Sequence, residues 1–298
     1  DAPHLARRRA HVLSRVDTSH GVNKAQFKDQ FDHVHVDESW FYMLTVDNWI
    51  RTIDGTEIPD APKVQHKSHI TKVMFLMAFG RPQQRPDGTW WNGKIGWWPC
   101  VQQAPAKRSS KNRPSGTMIT TSRSVDGEYY RELMTGKGGV FDRIRKKMHW
   151  HEKVFVQHDG AKVHEGKGNT AHFAEKGNEG STKIVVFLQS AQSPDVNILD
   201  LAIFNSLKKQ ASALKMHCTT IDELIEKIGV VYKNYSAQTL DHIWGHLFAC
   251  YNEILRLDGG NDYKSPHSGV RARAKNGPSG VSREVDKVAF LRVRAMHQ

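Results

Sequence analysis

Short runs of apolar and β-branched residues alternate along this chain with longer stretches of helical spacing, and this order constrains its fold more than any other feature. Residues 73–79 form a continuous apolar run that ends at Gly80, which is typical of a strand buried on both faces. Two further strand-like runs, residues 154–156 and 184–188, each follow a stretch with apolar residues at helical spacing. Strands first, then alternating helices and strands, predict an α/β architecture in which helices cover a mixed sheet.

The clearest strand pattern surrounds Asp37. Polar and β-branched residues alternate from His33 to Asp37, and an apolar run over residues 40–44 follows directly. This pattern predicts two adjacent strands joined tightly around Asp37 and Glu38. Residues 81–125 contain two Trp-Trp pairs among Pro and Gly residues, which predicts an inserted loop or small β region. Their tryptophans either attach this insertion to the sheet, which we favour, or stack on unpaired bases.

The second half of the chain is predicted to be mostly helical. Apolar spacing predicts helices near residues 126–148, 198–214, 221–231 and 237–257. Thr220, with Glu223 three residues later, forms a capping-box pattern at the start of the third of these. The basic segment after Tyr263 has little periodicity and is predicted to be a tail.

Three aspartates lie at positions where such a fold places a ligand site. Asp37 and Asp159 follow strand-like runs, and Asp200 opens the helical stretch after a turn. Acids at the carboxyl ends of strands in an α/β sheet lie at the crevice where these folds bind ligands. Three carboxylates that converge there repel one another unless cations neutralise them, and hard oxygen ligands select Mg²⁺ or Mn²⁺. Two such ions about 4 Å apart activate a water or hydroxyl and stabilise the leaving oxygen in phosphoryl transfer.

Position alone leaves alternatives open for these residues and their neighbours. An acid at a strand end or helix start is more often solvated or capping than catalytic. Asp195 competes with Asp200 for the third position, although in Ser-Pro-Asp it is favoured as a turn-forming residue. Glu38 should point to the opposite face of the strand from Asp37. His164 either lies near a scissile phosphate or makes a contact at a helix start.

The formal net charge of +12 is concentrated in three segments. Residues 1–29 carry six Lys/Arg and three acids, residues 101–125 carry five and none, and residues 264–298 carry eight and two, so the remaining chain is slightly acidic. Clustered basic segments suit a nucleic-acid backbone, and without an apolar helical face they do not suit a membrane surface. The candidate DNA-binding residues are Lys107, Arg108, Lys111, Arg113, Arg271 and Arg273.

Composition excludes several other classes of protein. The longest apolar run is far shorter than the roughly 20 residues of a membrane span. The three cysteines are far apart and form no CxxC pair, which argues against a structural zinc site and a disulfide framework. With 38% hydrophobic residues, the chain has enough apolar side chain for a folded core.

Three motifs, in order, resemble those of mariner-like DNA transposases. Val34-His-Val-Asp37-Glu-Ser-Trp40-Phe resembles their first-aspartate motif, and Val156-Gln-His-Asp159-Gly-Ala-Lys-Val-His164 resembles their second, usually Gln-Asp-Asn-Ala-x-x-His. Ser193-Pro-Asp-Val-Asn-Ile-Leu-Asp200-Leu resembles the third, in which the last aspartate is catalytic. The interval from 159 to 200 is 41 positions, close to the long-spacing, three-aspartate branch. The resemblance spans roughly residues 31–264.

The resemblance implies a ribonuclease-H-like mixed sheet flanked by helices, with an inserted loop or β region and a C-terminal helical extension. It divides the chain into a linker or remnant (1–30), a catalytic domain (31–215, insertion about 81–125), C-terminal helices (216–262) and a basic tail (263–298). It also implies that Asp37, Asp159 and Asp200 are catalytic and hold two Mg²⁺ or Mn²⁺ ions. The expected activity is cut-and-paste transposition: strand cleavage at transposon ends, then strand transfer into target DNA, by a nuclear homodimer.

Two departures from the family pattern favour an alternative. Gly160 replaces the usual Asn, and Val163 replaces the usual Pro. The helix-turn-helix modules that precede the catalytic domain in this family are expected upstream of this segment or lost from this copy. The alternative is therefore a catalytically inactive, transposon-derived DNA-binding protein. A structure-specific ribonuclease on the same fold is a third, less favoured hypothesis.

Overall fold

The computed structural model describes residues 2–43, 70–110, 113–166, 168–214, 218–266 and 281–297. The helices are α1 (Ala2–Ser14), α2 (Gly127–Thr135), α3 (Val140–Lys147), α4 (Lys162–Glu165), α5 (Asn169–Gly177), α6 (Phe204–Ala213), α7 (Ile221–Asn234), α8 (Ala237–Arg256) and α9 (Lys287–His297). The strands are β1 (Val16–Asp17), β2 (Gln26–Phe27), β3 (His33–Tyr42), β4 (Lys72–Gly80), β5 (Gln83–Gln84), β6 (Trp90–Trp91), β7 (Lys94–Pro99), β8 (Val101–Pro105), β9 (Met118–Ser122), β10 (Lys153–His158) and β11 (Lys183–Leu188). A π-helical turn, Leu199–Ile203, runs directly into α6.

Five strands form the central sheet in the spatial order β11-β10-β3-β4-β7. β10 is parallel to both β11 and β3, whereas β4 is antiparallel to both β3 and β7. The order and directions confirm the predicted fold class, a ribonuclease-H-like mixed sheet flanked by helices. The carboxyl ends of β3, β7, β10 and β11 consequently lie at the same end of the sheet.

A hydrophobic core lies on each face of this sheet. On β4, Phe75, Met77 and Phe79 pack into one core with α6, α7 and α8, whereas Leu76 and Ala78 pack into the other with α2, α3 and α5. Successive side chains of a strand point to opposite faces, so a strand covered on both sides is apolar throughout. This explains the continuous apolar run of the sequence.

The predicted pair of strands around Asp37 is wrong. β3 is a single strand that pairs in register with β4 from Val34 opposite Gly80 to Tyr42 opposite Lys72. The segment contains neither Gly nor Pro to turn the chain, so hydrogen bonding to β4 keeps it extended. Asp37 therefore lies in the middle of a strand and not in a turn.

The insertion predicted over residues 81–125 is correct only in part. It includes two small hairpins, β5–β6 and β8–β9, but β7 between them is an edge strand of the central sheet. Trp97 stacks on Phe75 with ring centroids 5.8 Å apart, and the Trp98 indole donates a hydrogen bond to the Gly138 carbonyl (2.9 Å). These tryptophans attach the segment to the sheet and its helices, as favoured from the sequence.

The C-terminal region is more ordered than the sequence predicts. α9 lies within the predicted tail and buries Ala289, Phe290 and Val293, in contact with α1 and α8. Three of its other apolar residues, Val288, Leu291 and Met296, are exposed, so the sequence shows no single apolar face and only packing against α1 and α8 identifies this helix. The capping box of Thr220 and Glu223 at the start of α7 is confirmed. Among the described helices, none is long and apolar enough to cross a membrane.

Candidate active site

Sheet register brings Asp37 and Asp159 to the same level on neighbouring strands. Gln157 on β10 lies opposite His35 on β3, and the two strands are parallel. Asp159, the first residue after β10, therefore lies close to the level of Asp37 on β3, and neighbouring strands are about 4.8 Å apart. Asp37 is buried, with 8% of its surface exposed.

Asp200 reaches the same place from the π-helical turn. The Asn197 side-chain nitrogen donates to Asp37 Oδ2 (2.9 Å), while its oxygen accepts from the backbone N–H of Leu199 (3.1 Å). These bonds tie the start of the turn to the middle of β3. The carboxyl group of Asp200 consequently makes a hydrogen bond with that of Asp37.

Burial and charge repulsion make the Asp37 and Asp200 pair a weak acid. Burial, with the negative charges of Asp200 and Glu38, raises the pKa of Asp37 to about 9. Partial desolvation of its carboxyl group also raises the pKa of Asp200, although the residue is exposed on one side, and the charge of Asp159 adds to the effect. The two carboxyl groups therefore share a proton at neutral pH, because two close carboxylates cannot both ionise without a counter-charge.

Asp159 is held differently, by His164. The His164 ring is buried on α4, with Nδ1 2.5 Å from Asp159 Oδ1 and Nε2 3.0 Å from Glu38 Oε1. Burial opposes its charged form, but the hydrogen bonds to Asp159 and Glu38 prevail and raise the pKa of His164 to about 10. The hydrogen bond from His164 in turn lowers the pKa of Asp159. Tyr130 stacks on the imidazole, with ring centroids 3.9 Å apart.

The imidazole of His164 bridges two carboxylates, Asp159 after β10 and Glu38 on β3, an arrangement that neither prediction from the sequence included. Its proximity to a scissile phosphate stays a prediction. Glu38 points to the opposite face from Asp37, as predicted, since its β4 partner Leu76 belongs to the second core and the partner of Asp37, Met77, to the first. Glu38 is nevertheless part of the site, because its largely buried carboxylate contacts the His164 ring.

Divalent cations fit the chemistry of these donors. Carboxylate oxygens are the ligands that Mg²⁺ and Mn²⁺ prefer, and the Asp37 and Asp200 carboxyl groups, already in contact, would exchange their shared proton for a cation. In the described part of the chain, no three His, Cys, Asp or Glu side chains are already grouped as a complete ligand set. Asp159 is directed to His164, so it would have to turn towards Asp37 to complete one.

Asp195, which competes with Asp200 in the sequence pattern, lies outside this cluster. Its two oxygens accept hydrogen bonds from Nη1 and Nη2 of Arg8, both at 2.6 Å, and the Tyr263 hydroxyl donates to it as well. Arg8 is fully buried and also donates to the Gly259 carbonyl (2.7 Å). Asp195 therefore joins α1 to the segment that follows α8.

The predicted DNA-binding residues are only partly described. Lys107, Arg108 and Arg113 are exposed near the tip of the β8–β9 hairpin. Lys111, Arg271 and Arg273 lie outside the described residues.

Two polar residues at the site were not recognised from the sequence. Asn197 lies inside the third motif, so its position three residues before Asp200 was the available signal. Lys208 donates to the Ser39 hydroxyl (2.8 Å) on β3, and burial lowers its pKa while nearby Asp200 opposes this. Its place two turns after Asp200 on one helical segment was a weaker signal.

Solved structures of similar fold include the Mos1 transposase paired-end complex with left transposon end, at a TM-score of 0.61 and 14% identity, covering 88% of this chain and 64% of that one. The Mos1 mariner paired end complex with Mn has a TM-score of 0.61 and 14% identity, covering 89% and 64%. The Mos1 Strand Transfer Complex has a TM-score of 0.58 and 14% identity, covering 88% and 64%. This chain shares its fold with a mariner transposase. It spans about two thirds of the length of those Mos1 chains.

Sequence comparisons are negative, so the likeness is one of fold. No protein-family model matches the chain, and no curated protein matches it. The predicted resemblance to mariner-like transposases thus agrees with the structural neighbours at the level of architecture.

Proposed function

We propose that this chain is the catalytic region of a mariner-like DNA transposase, which cleaves DNA strands and transfers the freed end with the help of divalent metal ions. The observation that carries the proposal is the contact between the Asp37 and Asp200 carboxyl groups, with Asp159 close enough for its charge to affect both, beside the carboxyl end of β10 in a ribonuclease-H-like sheet. Support comes from the shared fold with Mos1 transposase, whose solved complexes include one with Mn and a strand transfer complex.

In this proposal, Asp37 and Asp159 hold one Mg²⁺ or Mn²⁺ ion, and Asp200 with one of them holds a second. Bound there, such ions activate the attacking oxygen and stabilise the leaving oxygen. Asn197 orients the Asp37 carboxylate through its bond to Oδ2. His164 keeps Asp159 ionised and close to the other acids, and the Asp159 side chain would rotate towards them when a metal ion binds.

The proposed reaction has two steps of the same chemistry. Water first attacks the phosphorus at the transposon end, and the P–O3′ bond breaks to leave a 3′-hydroxyl. That hydroxyl then loses its proton and attacks a phosphorus in target DNA, where the P–O3′ bond of the target breaks. The resemblance suggests a TA step as target, a homodimer that pairs two ends, and action in the nucleus.

The inactive alternative has one observation in its favour, the glycine at position 160. A Cβ placed on Gly160 would meet no atom within 4 Å, so the structure leaves room for the Asn that the family usually has. An inactive descendant would keep DNA binding without Mn²⁺-dependent cleavage.

The proposal is tested by nicking of supercoiled plasmid in Mn²⁺. We expect Asp37→Asn to reduce the nicking rate about 100-fold or more, because even partners outside a metal's ligand set contribute 10–100-fold. Asp87→Asn, in the exposed turn between β5 and β6, is the matched control and should nick as the parent chain does. Equal nicking by Asp37→Asn and the control would overturn the assignment, and DNA binding without nicking by the parent chain would support the inactive alternative.

A further inference from the structure

The β8–β9 hairpin is a regular arm with a basic tip. Its strands pair in register from Val101 opposite Ser122 to Pro105 opposite Met118. Pairing continues beyond the strands, where Ala106 N–H donates to the Thr117 carbonyl (2.8 Å). Still further out, Ser110 and Arg113 exchange backbone hydrogen bonds of 2.8 and 3.2 Å, so the two sides of the arm are still paired there.

Among the described residues, no acidic side chain neutralises the charge of this tip. Lys107, Arg108 and Arg113 are exposed, and residues 101–125 contain no acid. Within the described ranges, none of these three side chains forms an ion pair with an acidic side chain. Three unpaired cations on one projection suit a ligand with closely spaced negative charges.

The base of the arm is fixed to the body. Thr120 on β9 donates a side-chain hydrogen bond to Asp222 on α7 (2.7 Å). The Arg123 guanidinium lies 3.6 Å from the centroid of the Tyr129 ring, and its backbone N–H donates to the Cys100 carbonyl (2.9 Å). The arm therefore starts from a fixed position relative to the sheet.

That position is on the side of the candidate active site. β7 has the same direction as β3, and its last residue, Pro99, lies opposite Phe75, which lies opposite Ser39. The arm thus leaves the sheet two residues beyond the level of Asp37, two strands away, or about 10 Å. Val101 packs against the core on the same face as Asp37, and five-residue strands extend about 17 Å from there.

We propose that the β8–β9 hairpin binds the phosphate backbone of the DNA duplex that adjoins the cleaved strand. Lys107 lies six residues beyond Val101, or about 20 Å along the arm, so the tip is within about 30 Å of the aspartates, the length of about nine base pairs at 3.4 Å per step. It binds neighbouring duplex and not the scissile phosphate, which makes it a positioning element without base readout. That this duplex adjoins a cleaved strand rests on the proposed function, whereas binding of the tip to duplex DNA does not.

The test is the salt dependence of duplex binding, measured in EDTA so that cleavage does not contribute. For the variant Lys107→Ala/Arg108→Ala/Arg113→Ala, the negative slope of log K against log salt should become shallower by about 2.7, or about 0.9 for each phosphate that the variant no longer neutralises. The matched control, Lys146→Ala/Lys153→Ala/Lys183→Ala, removes the same charge from exposed positions, two of them at the starts of β10 and β11, at the opposite end of the sheet. It should leave the slope within about 1 of the parent chain, since few of its lysines would face the duplex.

Each outcome decides the proposal. Equal slopes for the parent chain and the hairpin variant, or equal decreases in the two variants, would overturn it. Binding through the tip to single strands but not to duplex would also overturn it. If the chain never nicks DNA but its affinity for duplex depends on the hairpin, the proposed function is refuted and the proposal that the hairpin binds duplex is supported. Unchanged thermal unfolding of both variants, expected because all six side chains are exposed, confirms that folding is not the cause.

Discussion

Alanine substitutions at Asp195 and Asp200 separate a structural aspartate from a proposed catalytic one. Asp195→Ala would remove the two carboxylate oxygens that accept 2.6 Å hydrogen bonds from the fully buried Arg8 guanidinium. Loss of one partner from a buried ion pair costs about 3–5 kcal/mol, which for a chain of this size lowers the unfolding temperature by roughly 6–20 °C. Asp200→Ala removes a group whose pKa is raised by burial and by Asp159, so stability should stay equal or increase.

The assay combines thermal unfolding, followed by circular dichroism in EDTA, with Mn²⁺-dependent nicking well below either transition. Asp195→Ala should unfold early yet nick at a rate within a few-fold of the parent chain while folded. Asp200→Ala should unfold at the parent temperature or above and lose nicking about 100-fold or more. These roles are refuted if Asp195→Ala is as stable as the parent, or if it abolishes nicking while Asp200→Ala does not.

Four further predictions concern the same site. Mn²⁺ must displace the Asp37 proton, so its affinity should rise up to about tenfold per pH unit between pH 6 and 8 in calorimetric titrations, and a pH-independent affinity would contradict this. Because the folded pKa of Asp37, about 9, exceeds its usual value, its contribution to metal-free stability is complete below about pH 4 and is lost as the pH rises towards 9, which urea unfolding across that range measures. Asn197→Ala, which removes the 2.9 Å bond to Asp37, should reduce nicking 10–100-fold, about the usual range for partners outside a ligand set, and unchanged nicking would exclude a positioning role. Gly160→Asn should change the free energy of unfolding by no more than about 0.5 kcal/mol and raise the nicking rate, whereas a large loss of stability would show that the side chain does not fit the open space there.

The parts of this molecule that the sequence predicted are those specified by local pattern. The strands that became β4, β10 and β11 follow from short apolar runs, and α7 from its capping box and spacing. Asp37 and Asp159 were selected because a strand-like run and a motif coincide at each, although only Asp159 follows the end of a strand and Asp37 lies in the middle of β3. In each of these cases the informative residues are close together in sequence.

Contacts between distant residues account for what was missed. Asn197 and Asp37 are 160 residues apart, and Arg8 and Asp195 are 187 apart, so no local pattern indicates either pair. β7 joins the sheet through backbone bonds to β4, while its Trp, Gly and Pro residues have the composition of a loop. α9 depends on a surface supplied by α1 and α8. Tertiary packing decides such elements, and local propensity does not.

Anomalous diffraction at the manganese edge, from crystals of the chain grown with Mn²⁺, would locate directly any metal that the three aspartates hold. We expect a peak about 2.1 Å from carboxylate oxygens of Asp37 and of Asp159 or Asp200, with Asp159 turned away from His164. A peak that persists at that position in Asp37→Ala, or its absence there in a chain that still nicks DNA in Mn²⁺, would contradict the assignment of these aspartates as metal ligands.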